Sequence, residues 1–258
     1  MEKEIKIKFI YHSCYTMEFE NYILIFDYFE GDLPKNPKNK KLIFIATHSH
    51  YDHFSKKILE IGNPEENIYI LSSDIQDLLQ KDNIIYLEDK NKDVDISALK
   101  FLRNSDNVYF VKPDEVLDIE DFTIKTFGST DQGISYTLSL EYLTLFYAGD
   151  LNNWIWPEDS PEERKEMEED FLKEIRKIDE GIDIAFFPID PRLKDNYDKG
   201  ARLFLELIEP QMIFPLHFKD DCAFTARFYE EYKDKYPTEI REVKNLGDEF
   251  IILLDIQD

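Results

Sequence analysis

Cysteine, glycine and histidine are scarce in this chain of 258 residues, which has two Cys, eight Gly and five His. Cys14 and Cys222 alone cannot build a disulfide framework, and so few thiols fit a reducing, cytoplasmic setting. No run of about 18 apolar residues occurs, which excludes a helical membrane span. The opening stretch, residues 1–8, alternates charged and apolar residues like an edge strand and lacks the apolar core of a signal peptide. Positive charge is also short: 31 Lys and Arg face 55 Asp and Glu, for a formal net charge of −24. Such a field repels phosphate backbones, so nucleic acid is excluded as a partner and a small-molecule substrate is expected. The one basic run, Lys35 to Lys41 around Pro34 and Pro37, reads as a solvated turn. Nothing in the composition sets the oligomeric state.

What is present is enough for a core. Hydrophobic residues make up 43% of the chain, with 20 Phe, 15 Tyr and 2 Trp, and no Gly-, Ser- or Pro-rich linker divides it. One domain spanning 1–258 is expected. Its chemistry centres on Thr47-His48-Ser49-His50-Tyr51-Asp52-His53-Phe54, where three of the five histidines fall within six positions. Residues 41–46 before it read as a buried strand, and Ser55 to Gly62 after it as a short capped helix. The motif therefore sits at the carboxyl end of a strand, where α/β sheets place ligands. In extended backbone His48 and His50 project to one side and can grip one ion, while the following turn lets Asp52 and His53 face a second. Imidazole with carboxylate suits zinc, iron or manganese.

The motif resembles the H-x-H-x-D-H signature of the metallo-β-lactamase superfamily. That resemblance implies an α/β (α+β) fold, a four-layer αββα sandwich holding one or two divalent transition metal ions, zinc foremost, with iron or manganese as alternatives. Further ligands in the superfamily come from a Gly-His-Thr-like turn, a Gly-Asp after a strand and a late His. Here Gly149-Asp150 and His217 match the last two, while Gly128-Ser129-Thr130 has Ser in place of the His. The implied ligand sets are Asp52, His53, Asp150 and His217 for one ion, and His48, His50 and Asp150 for a weaker second. Three protein ligands still leave the open position a catalytic zinc requires. Asp52 also takes general-base character, orienting the attacking water. Ser129 and Asp131 leave three options: a weakened second site, Asp131 as the replacement ligand, or mere capping of the turn.

Other segments extend the resemblance. The turn Tyr11-His12-Ser13-Cys14 and the run Ile25-Phe26-Asp27-Tyr28 are similar to the opening motifs of the ascorbate-6-phosphate-lactonase-like branch, which makes His12 and Asp27 candidates to orient metal ligands. Cys14, among bulky apolar residues, reads as inert packing. Trp154 and Trp156 are either a pocket wall or core. Asp190 and Arg192 either anchor substrate or form an internal ion pair. The expected activity is metal-dependent hydrolysis of a small lactone, ester or phosphoester. Two other classes compete: a di-iron oxidoreductase, whose relatives carry Glu at the position of His50 and a flavin-binding domain, and a metal-binding regulator or degenerate enzyme, which Ser129 favours.

Coarse patterning adds strands at 4–10, 15–20, 22–28, 68–72, 84–87, 107–112, 122–128, 134–140, 143–148, 182–188, 212–216, 239–244 and 249–255. Helices are expected at 73–81, 199–209 and 223–235, and from a Ser160-Pro161-Glu162-Glu163 capping box to Gly181. Residues 88–95 read as a charged loop.

Overall fold

The computed structural model describes residues 2–35, 40–80, 96–179 and 181–255. The expected strand at 84–87, the charged loop 88–95 and residues 36–39 of the basic run lie outside them. The chain divides into two compact units, residues 1–111 with 247–258, and residues 112–246.

The first unit contains β1 (Glu2–Tyr11), β2 (Cys14–Glu18), β3 (Tyr22–Phe26), β4 (Lys41–Ala46), β5 (Ile68–Ser72) and β6 (Val108–Val111), with α1 (Ser73–Gln80) and α2 (Ile96–Asn104). The second contains β7 (Val116–Ile119), β8 (Phe122–Phe127), β9 (Ser135–Leu140), β10 (Leu143–Tyr147), α3 (Pro161–Ile175), β11 (Ile184–Pro188), α4 (Lys199–Ile208), β12 (Met212–Leu216), α5 (Cys222–Tyr232) and β13 (Glu239–Ile240). The chain then returns to the first unit as β14 (Glu249–Asp255). Each unit holds a seven-stranded sheet, ordered β14-β1-β2-β3-β4-β5-β6 and β13-β12-β11-β10-β9-β8-β7. In the first sheet β14 to β3 pair antiparallel and β3 to β6 parallel. In the second β7 to β10 are antiparallel and β10 to β13 parallel. Two mixed sheets with a few helices bear out the expected α/β class.

Burial explains the order. The parallel strands β3 (YILIF), β5 (IYILS) and β11 (IAFFP) are buried at every position, as strands covered on both faces must be. In contrast, β8 (FTIKTF) alternates buried and half-buried residues over its first four positions, the pattern of an antiparallel strand with one wet face. Cys14 sits in the first unit's core, where burial and then the charge of Asp27 push its thiol well up, so it is the inert packing residue expected.

Several boundaries depart from the sequence reading. The capping box at Ser160 and Glu163 forms in both directions, but α3 stops at Ile175 instead of reaching Gly181. The amides of Lys177 and Ile178 bond back only three residues, to Glu174 and Ile175, which keeps Ile178 buried outside the α-helix. Helix α2 and strand β7 were not anticipated, and the strand expected over 239–244 shrinks to Glu239–Ile240. Among the described residues, no helix is long and apolar enough to cross a membrane.

Candidate metal centre

Both sheets aim their parallel strands' carboxyl ends at clusters of histidine and aspartate. In the first unit β3 runs into Asp27 and its neighbour β4 into Thr47. The Asp27 amide donates to Ile45 O at 2.9 Å, which holds these two strand ends side by side. The Asp27 carboxylate is fully buried and accepts three hydrogen bonds of 2.8 Å, from Thr47 N, Thr47 Oγ1 and His53 Nδ1. Because the Thr47 hydroxyl spends its proton on Asp27, it accepts from His48 Nδ1 at 3.0 Å. One carboxylate thus sets the tautomer of His53 directly and of His48 through Thr47, with the proton on Nδ1 of each ring. His48 Nε2 lies 3.0 Å from His50 Nδ1, so the two rings stand side by side. Asp74, in the first turn of α1, accepts from Ser49 N at 2.8 Å and steadies the loop from outside.

The turn over 51–53 is closed by His53 N and Phe54 N, which both donate to His50 O at 3.0 Å. It brings Asp52 beside His12, with His12 Nε2 3.4 Å from Asp52 Oδ2. His12, Asp52 and His53 each offer a ligand atom, all within 4.8 Å of one another. Burial alone would raise the Asp52 carboxyl, but the His12 hydrogen bond and the His53 and His12 charges outweigh it and hold the group well below the usual carboxylate range.

The second unit repeats the device on three adjacent parallel strands. β10 leads to Asp150, β11 to Asp190 and β12 to His217, in a register that pairs Pro188 with Leu216. Asp190 Oδ2 accepts from His217 Nδ1 at 2.9 Å, and His217 Nε2 stands 3.3 Å from Asp150 Oδ1. Burial opposes charge on His217, yet the carboxylates of Asp150 and Asp190 push its pKa up to about 10. Asp190 is drawn down to about 2: burial resists, and the hydrogen bonds from His217 and Arg192 prevail. Asp190 is therefore the carboxylate that orients His217 as well as the ion-pair partner of Arg192. The sequence supplied only the second of these roles. Trp154 is buried, donates from Nε1 to Asp150 O at 2.9 Å, and stands edge-on to His217 with ring centroids 5.3 Å apart. Trp156 stacks on Trp154, and the Arg192 guanidinium lies 5.6 Å from the Trp156 ring.

At the turn before β9, Ser129 Oγ accepts from Asp131 N at 3.2 Å, a cap of the turn. Thr130 Oγ1 donates to Asn152 O at 2.6 Å and accepts from Asn152 N at 3.0 Å, which ties this turn to the loop after Asp150. Ligand atoms of Asp131 and Asp150 lie within 4.8 Å of each other. Asp131→Ala is accordingly expected to weaken the second equivalent of metal at least tenfold, and Ser129→His to tighten it, in calorimetric titration of the metal-free protein. No change in either variant would show that the turn does not reach the metals.

Three of the eight non-glycine residues with positive φ among the described residues are His12 (55°), Asp27 (45°) and His217 (68°). All three lie in the histidine–aspartate clusters just described, where strained backbone aims side chains. The donor set suits a divalent ion: imidazoles backed by carboxylates, with aspartate oxygens beside them.

Sheets of this topology ending in such clusters define a metal-binding protein of the metallo-β-lactamase fold. A family model described as "Beta-lactamase superfamily domain" matches residues 6–217, and the chain belongs to that superfamily. Among solved structures it is similar to Igni18, a metallo hydrolase from Ignicoccus hospitalis, at 15% identity and a TM-score of 0.62, over 98% of this chain and 100% of that one. The metallo-β-lactamase fold protein YhfI from Bacillus subtilis aligns at 12% identity and a TM-score of 0.60, over 96% and 99%. CmlA, a diiron β-hydroxylase from Streptomyces venezuelae, aligns at 13% and 0.59, over 97% of this chain but 54% of that one. Curated proteins gave no match.

Proposed function

We propose that the chain is a metal-dependent hydrolase of a small lactone, ester or phosphoester, placed with the ascorbate-6-phosphate-lactonase-like branch of its superfamily. The observation that carries this reading is the treatment of three histidines: His48, His53 and His217 each engage Nδ1 in a hydrogen bond that traces to a buried aspartate, so each presents Nε2. Such carboxylate-backed imidazoles are the mark of metal ligands. In this proposal Asp52, His53, Asp150 and His217 hold one ion, and His48, His50 and Asp150 the other, with zinc the foremost metal. A bound divalent ion would polarise the scissile carbonyl or phosphoryl group and acidify a water. Asp52, kept ionised, would serve as the base that orients such a water and takes up its proton, while Asp27 and Asp190 keep the imidazoles in one tautomer. Buried Trp154 excludes bulk water from the His217 side.

The test is metal analysis of the purified protein combined with a panel of chromogenic esters, lactones and phosphoesters, before and after chelation. Turnover that disappears with the metal and returns on its addition is the expected result. Turnover that persists after verified removal of all metal would rule the mechanism out. Metal bound with no hydrolysis across the panel would instead favour the non-catalytic alternative that Ser129 raises.

A further inference from the structure

Tyr51 lies between two proposed ligands, His50 and Asp52, yet its side chain is 71% exposed, more than any other large hydrophobic residue among those described. It does not stand alone. Its ring meets Phe29 edge-on with centroids 6.5 Å apart, and Phe29 in turn lies 5.5 Å from Tyr11 and edge-on to His12 at 6.4 Å. Tyr11 packs against the first unit's core, so the three rings step outward from the interior to solvent beside the His12–Asp52 pair. The segment that presents Phe29 is anchored. Lys57 Nζ donates to Phe29 O at 3.2 Å, and Tyr28 Oη donates to Gly31 O at 3.1 Å. Gly31 has φ of 103°, and a Cβ there would come within 2.6 Å of Ile10 Cγ2, so this segment presses onto β1 at a distance only glycine permits. A fixed, partly exposed aromatic surface beside ligating residues is what apolar recognition in a catalytic site requires.

We propose that Tyr51, Phe29 and Tyr11 form a subsite for an aryl group of the substrate, on the acyl or the leaving side of the bond that is cleaved. The inference rests on the hydrolase reading and narrows it to aromatic esters or lactones. Phenylphosphonate and methylphosphonate test it, since both offer the same metal-seeking oxygens and only one carries a ring. Calorimetry on the metal-loaded protein should show phenylphosphonate binding about tenfold more tightly, the worth of one partly buried ring. In the Phe29→Ala, Tyr51→Ala double variant that ratio should fall towards one. Equal affinities in the wild type, or a preference that survives the double substitution, would overturn the subsite. Metal content measured on the same samples separates the two failures. Metal-loaded protein indifferent to the ring sinks the subsite alone, whereas protein that holds no metal sinks the hydrolase reading beneath it.

Discussion

Asp27→Ala should lower the stability of the protein by about 3–5 kcal/mol and strip it of metal. The carboxylate is fully buried and serves Thr47 N, Thr47 Oγ1 and His53 Nδ1 at once. Its removal leaves three donors without an acceptor in the interior, and alanine must also adopt the φ of 45° that this position requires. Asp27→Asn separates the two effects, because asparagine tolerates left-handed backbone. One carboxamide oxygen can still take the Thr47 amide, but an NH2 group then faces the hydroxyl and the His53 ring. Urea unfolding should therefore show a smaller loss for Asn than for Ala, while metal affinity falls 10- to 100-fold in the Asn variant. An Asn variant that binds metal like the wild type would mean that the carboxylate does not govern these imidazoles.

His217→Ala should abolish one equivalent of metal and change how stability depends on pH. In the metal-free protein the pKa of His217 is pushed up to about 10 by Asp150 and Asp190, against an ordinary value of 6.5. A pKa raised by folding adds stability that is fully present below the unfolded value and is lost as pH rises through the folded one. The metal-free wild type should thus lose stability between about pH 6.5 and 10, and His217→Ala should not show that component. Metal must displace the same proton, so the apparent affinity of the wild type should rise across this window. Thermal unfolding of metal-free samples over the range reads the first effect and competitive chelation the second. If the variant kept the wild-type pH slope, the proton would reside elsewhere.

The first unit's cluster was legible because its information is local. Residues 47–54 carry their chemistry in spacing alone, and the strand before them announces itself by an apolar run. The His217–Asp190 pair was not legible, since 27 residues separate the partners and only the parallel pairing of β11 with β12 brings their ends together. Asp190 was visible as a charged residue beside Arg192, which favoured an ion pair and hid the second lone pair's use. Thr47 passed unnoticed for another reason: its role depends on the direction of a hydroxyl proton, which no sequence pattern records. Strand β7 lies at a sheet edge with half of its residues exposed, so it lacks the apolar face that periodicity detects. For α3 the apolar period ran past the true end, because Ile178 is buried by a turn of a different kind.

The pairing of β14 with β1 sets an order on biosynthesis. Glu2 pairs with Asp255 and Lys8 with Glu249, so β1 waits for a strand that is made only after the whole second unit. While residues 112–246 emerge from the ribosome and complete their own sheet, β1 has β2 on one side and an open hydrogen-bonding edge on the other. The second unit can close before the first, although residues 1–111 precede it in the chain. A nascent chain stalled before residue 249 would carry that open edge for as long as the stall lasts, a target for chaperones that bind extended backbone.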